Sequence, residues 1–102
     1  MNPARVDRAR VEMLTDLPNI GPSLAQTLRE VGVQVPADLV GRDPYDLYDE
    51  LTAVTGERQD PCVLDTFISV VRFIAGEDPL PWWSYTAERK TVMAHKAEGG
   101  VN

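Results

Sequence analysis

Along this chain apolar residues recur three and four positions apart and almost never alternate with polar ones, the spacing of helices with one buried face. The pattern predicts an all-α fold. A first helix is expected from about Pro3 to Leu14, with Val6, Ala9 or Arg10, and Met13 on one side. Leu24, Ala25, Leu28 and Val31 mark a second, opening at Pro22, where a missing N–H costs nothing, and closed by Gly32. Pro36 to Val40 has the length of a short connector helix ending at Gly41. Leu47, Tyr48, Leu51 and Val54 form the stripe of the next helix, which starts at Asp43-Pro44 and stops at Gly56.

The Asp-Pro start signal repeats at Asp60-Pro61. It introduces Val63, Leu64, Phe67, Ile68, Val70, Val71, Ile74 and Ala75, apolar around most of a helix circumference and therefore the expected core. Gly76 ends that helix. A proline-stiffened loop through Pro79 and Pro81 leads to Trp82, Trp83 and Tyr85, expected to pack on the core as a lid, and Thr86 caps a last short helix to about Lys96. The expectation is one compact domain of five to six helices over residues 1–97, with 98–102 a frayed tail.

Composition narrows the chemistry more than the fold. The 102 residues are 43% hydrophobic and 25% charged, ordinary for a globular protein. No apolar run approaches the roughly 18 to 20 residues of a membrane span, and the charged, mixed N-terminus does not read as a secretory signal. A cytoplasmic protein is expected. One cysteine, Cys62, cannot form an internal disulfide; with a single histidine, His95, it leaves too few soft ligands for zinc and too little for a nucleophilic triad. Neither metal, cofactor nor catalytic residue is expected. Cys62 reads as a small core residue and His95 as exposed.

Charge is unevenly placed. The net charge is −6, and all of the imbalance lies between Asp38 and Asp65, where eight acids meet two arginines. Elsewhere acids and bases balance, with Arg5, Arg8 and Arg10 close together near the start, and Arg89, Lys90 and Lys96 reading as ordinary surface. A nucleic-acid surface is therefore not in the middle of the chain.

The most specific stretch is Leu17-Pro18-Asn19-Ile20-Gly21-Pro22-Ser23-Leu24-Ala25, in which a turn reverses the chain and a helix begins at once. Backbone N–H groups at such a helix start sit where the partial positive charge favours a phosphate oxygen. Gly21 and Asn19 tolerate the positive φ a tight turn needs. Ile20 is expected to plug between the flanking helices, and Ala25 to let them approach.

These residues resemble a helix-hairpin-helix motif, whose hairpin usually reads L-P-G-I-G with a small residue four positions later. Asn19 replaces the first glycine here, and no basic residue follows Gly21 before Arg29. With Gly56-Glu-Arg-Gln-Asp-Pro-Cys-Val-Leu-Asp65, Pro81-Trp-Trp83 and Glu88-Arg-Lys90, most of the chain is also similar to the small bacterial "pathogenicity locus" helix-hairpin-helix proteins. The helix order further fits a tandem unit whose second hairpin, Gly56 to Asp60, is a degenerate structural copy. The resemblance implies weak, sequence-nonspecific DNA binding without catalysis, through Asn19, Ile20, Gly21, Ser23 and Leu24, with Arg5, Arg8 and Arg29 as further phosphate contacts. A protein partner docking on the acidic middle is the alternative expectation, in which the chain is a structural adaptor.

Overall fold

A buried helix surrounded by shorter elements organises the domain in the computed structural model, which describes residues 6–99, with side chains through Lys96. Four α-helices are present among the described residues: α1 (Pro22–Glu30), α2 (Pro44–Thr55), α3 (Pro61–Ile74) and α4 (Thr86–Gly99). Short 3-10 turns at Arg8–Arg10, Leu14–Asp16, Pro36–Leu39 and Trp82–Tyr85 complete the architecture. A radius of gyration of 13.4 Å is that of a compact domain of this size. None of the described helices is long and apolar enough to cross a membrane.

α3 is the centre because apolar residues cover most of its circumference and its polar residues Asp65, Thr66 and Ser69 are buried with hydrogen-bond partners. Every residue from Leu64 to Val70 is buried, and α2, α4, the Pro36–Leu39 turn and the Trp82–Tyr85 turn all pack on it. Its C-terminus and that of α1 end in the same way. Gly32 and Gly76 take φ of 85° and 110°, and each closing turn returns two N–H groups to helix carbonyls: Gly32 to Arg29 and Val33 to Leu28, Gly76 to Phe73 and Glu77 to Arg72. Only glycine adopts that left-handed conformation without a Cβ penalty.

The expected first helix is not there. Pro3 to Arg5 lie outside the described residues, and from Val6 onward the chain makes one 3-10 turn, extends at Val11, and makes another. Carboxylates explain the interruption. Asp7 accepts from the Ala9 N–H at 3.0 Å, and Asp16 accepts from the Glu12 and Met13 N–H groups at 3.0 and 2.8 Å, so these donors are satisfied outside an α-helix. The connector is likewise a single 3-10 turn, so the described chain has four α-helices rather than five or six.

Side-chain placement departs from the stripes at three points. Val54 is 63% exposed, at the end of α2 where no element covers it. The Trp82–Tyr85 turn is only partly a lid: Tyr85 is buried, while Trp83 is 62% exposed. Arg89 is not ordinary surface, since its guanidinium donates from Nε to Oδ1 of fully buried Asp65 at 2.8 Å, joined by the Thr86 hydroxyl on Oδ2 at 2.8 Å. A charge this deep is tolerated because it is paired and hydrogen-bonded. α4 runs to Gly99, past the expected Lys96; of the tail expected to fray, residues 100–102 lie outside the described residues.

Candidate nucleic-acid interface at the hairpin

Two apolar plugs set the hairpin. Leu17 and Ile20 are fully buried on either side of the turn, and Ala25 is buried one turn into α1. Between them the chain must reverse, and Asn19 takes φ of 67° to do so, the sole described non-glycine residue with positive φ. Its side chain then fixes the turn in place, donating from Nδ2 to the Ser69 hydroxyl on α3 at 3.1 Å and to the Leu80 carbonyl at 2.9 Å. Asn19 is thus a strut between hairpin, core helix and aromatic loop.

Gly21 behaves differently from the expectation. Its φ of −93° and ψ of −176° are extended backbone open to any residue, and a Cβ built there meets nothing within 4 Å. The left-handed residue of the turn is Asn19 alone. Gly21 instead occupies the position just before α1, where it accepts the Ala25 N–H at 3.0 Å and offers no side chain, so among the described residues no side chain caps α1. Pro22 and Ser23 are exposed and Leu24 is half-buried. The first-turn amides of a helix have no partner within the helix, and the positive end of its dipole is added to them.

The expected basic contacts are scattered. Arg5 lies outside the described residues. Arg8 is committed elsewhere: its guanidinium donates to the carbonyls of Phe73 and Glu77, the latter at 2.6 Å, and lies 4.0 Å from the Phe73 ring centroid. It serves as a cap on the C-terminus of α3, where the dipole favours a cation. Arg29 is exposed in the last turn of α1, at the opposite end from the hairpin. Arg58, in the turn before α3, is exposed among Glu57 and Asp60.

Residues that the chain separates meet beside the hairpin. Asn19 and Leu24 share a hollow of about 320 Å³ with Cys62, Val63 and Thr66 of α3 and with Trp82. Cys62 is exposed rather than a core residue, because it is the second residue of α3 and the buried run begins only at Leu64. The hollow was not visible in the sequence: its walls span residues 19 to 82, brought together by the packing of the Trp82–Tyr85 turn on α3 and by the Asn19 bonds to Ser69 and Leu80. His95 is exposed, as its place in α4 implies.

Comparison with known proteins agrees with the sequence resemblance at the level of family. The family model described as "Pathogenicity locus" matches residues 7–91. The mitomycin resistance protein McrB of Streptomyces lavendulae is 43% identical over 91 residues, covering 86% of this chain and 87% of that protein. No solved structure matches the chain significantly.

Proposed function

The chain belongs to the pathogenicity-locus family, and on that footing we propose that it is a non-enzymatic module of the helix-hairpin-helix kind, with 3-10 turns in place of the first helix, that holds DNA weakly and without regard to sequence. The grip is the start of α1, where a phosphate oxygen accepts from the amides of Ser23 and Leu24 beside Gly21, with Asn19 and Ile20 holding the turn in shape. Backbone amides read phosphate and not base edges. The observation that carries the reading is the bare N-terminus of α1: the residue that would cap it is glycine, in a conformation that does not require glycine.

The acidic middle sets the strength. Arg8 contributes to folding in this reading, not to binding, which leaves Arg5 and Arg29 as the remaining contacts of the expected set, Arg29 at the far end of α1. With about one or two phosphates engaged, affinity falls with salt at a logarithmic slope of about −1 to −2. The test is Gly21→Asp. Aspartate at this position caps α1 and places a carboxylate where the phosphate would sit, so stability holds or rises while affinity for labelled DNA, read by anisotropy at low salt, drops at least tenfold. Undiminished binding by a folded Gly21→Asp protein sinks the grip. In cells, the name of the Streptomyces protein makes tolerance of mitomycin the companion readout: tolerance conferred by the wild-type chain is lost with Gly21→Asp.

A second reading rests on α2, whose Asp46, Asp49 and Glu50 are all exposed. In it the chain is an adaptor for a basic protein partner. Charge reversal at these three residues abolishes capture of that partner and leaves DNA affinity unchanged or higher.

A further inference from the structure

Building on the phosphate grip at α1, we propose that the hollow beside the hairpin receives an unpaired nucleobase, stacked on Trp82, so that the site prefers single-stranded DNA to continuous duplex. Leu24 belongs both to the first turn of α1 and to the wall of the hollow, and Asn19 belongs both to the hairpin and to that wall. A nucleotide whose phosphate rests on the start of α1 therefore has its own base beside the opening. Within a duplex that base is held by its partner and its stacking neighbours, and a protein reaches it only by extruding it.

The lining has the chemistry of a base pocket. None of its six residues is charged, although the chain carries a net charge of −6. Leu24 and Val63 supply apolar wall, Trp82 supplies an aromatic surface, and Asn19 and Thr66 complete the lining, with Asn19 Nδ2 held by Ser69 and Leu80 and the Thr66 hydroxyl donating to the Cys62 carbonyl. Trp82 is partly exposed and preset: buried Tyr85 anchors its turn, and Trp83 packs edge-on against it with ring centroids 5.6 Å apart at 84°. A ring already held loses little freedom on stacking, and single-strand binders use such platforms because every base has a π-face. The volume is at the lower end of small-ligand sites and suits one base with part of its sugar.

Three labelled ligands of equal phosphate count separate the pocket from the grip: a thymidine oligonucleotide, the same backbone with abasic sites, and a hairpin duplex. The thymidine strand binds about tenfold tighter than the other two, quenches tryptophan fluorescence, and slows alkylation of Cys62, the single cysteine and part of the hollow's wall. Trp82→Ala removes the tenfold margin, Trp82→Phe retains most of it, and Trp83→Ala, which takes away the edge-on neighbour of the ring but not the platform, narrows it only in part. Because Cys62 protection is read on the wild-type protein, the result stands even where a tryptophan variant misfolds. Equal affinity for all three ligands with Cys62 unprotected overturns the pocket and leaves the phosphate grip standing. Absence of binding by all three overturns the grip and the pocket with it.

Discussion

The turns that lead into α1 and α3 carry similar local signals and differ in nearly everything around them. Both place proline at the first helical position, and in neither does the preceding residue cap the helix through its side chain. The turn before α1 is pinned from inside by Leu17, Ile20 and Asn19, and no acid lies between Leu17 and Arg29. The turn before α3 is open on its outer side, carries Glu57 and Asp60, and is braced by the Tyr48 hydroxyl donating to the Gln59 carbonyl. A helix start is a ready anion site only where its neighbours leave it bare and uncharged. The contrast with α2 sharpens this, because there Asp43 does cap, accepting the Tyr45 N–H at 2.8 Å.

The largest expected effect tests how the α3 side is held. Arg89→Ala leaves the buried carboxylate of Asp65 without its ion-pair partner, and unfolding free energy falls by about 3 to 5 kcal/mol. Chemical denaturation measures it. A loss under about 1 kcal/mol would mean that the pair is a surface-like bridge and that α3 depends on apolar packing alone. On the hairpin side Ile20→Ala removes a fully buried side chain, with an expected loss of about 2 to 4 kcal/mol.

Asn19 separates shape from anchoring within the hairpin. Asn19→Gly keeps the positive φ and deletes the bonds to Ser69 and Leu80; Asn19→Ala deletes both the bonds and the conformational tolerance. The expected losses are about 1 to 2 kcal/mol for glycine and more for alanine. Equal losses would assign everything to the bonds. Arg8→Ala belongs next in size, at about 1 to 2 kcal/mol for two hydrogen bonds from a charged group, with DNA affinity of the folded protein unchanged. A drop in affinity instead would return Arg8 to the interface.

What the sequence made legible follows from periodicity and punctuation. Pro22, Pro44 and Pro61 each open a helix where the pattern places it, Gly32, Gly56 and Gly76 follow helix ends, and the core status of α3 is plain from Phe67, Ile68 and Val70. What it concealed is long-range. Val6, Ala9 and Met13 have helical spacing, yet Asp7 and Asp16 divert the backbone into 3-10 turns. Arg8 looks like a free cation until Phe73 and Glu77 are folded against it. Asp65 looks like one more acid of the middle segment, and its partner Arg89 lies 24 residues on. The hollow joins Asn19, Cys62 and Trp82 through contacts that no local pattern encodes.

The smallest expected effect concerns the 3-10 turn leading into the hairpin. The Met13 N–H, and next the Glu12 N–H, hold the Asp16 carboxyl below its ordinary value of 3.8, since both bonds favour the charged acceptor. The sign follows directly. A carboxylate with a depressed folded pKa stabilises the protein above its unfolded value, and that contribution is lost as pH falls through the folded one. Asp16→Asn removes it at every pH. The melting temperatures of wild type and Asp16→Asn should therefore differ near neutrality, in favour of wild type, and converge as pH drops below about 4. The turn before α3 offers the control: the Asp60 side chain caps nothing, so Asp60→Asn should change the melting temperature by less than Asp16→Asn near neutrality. Parallel curves for wild type and Asp16→Asn down to acid pH would show that the carboxylate is dispensable to the turn. The 3-10 path into the hairpin would then follow from burial of Leu14 and Leu17 alone.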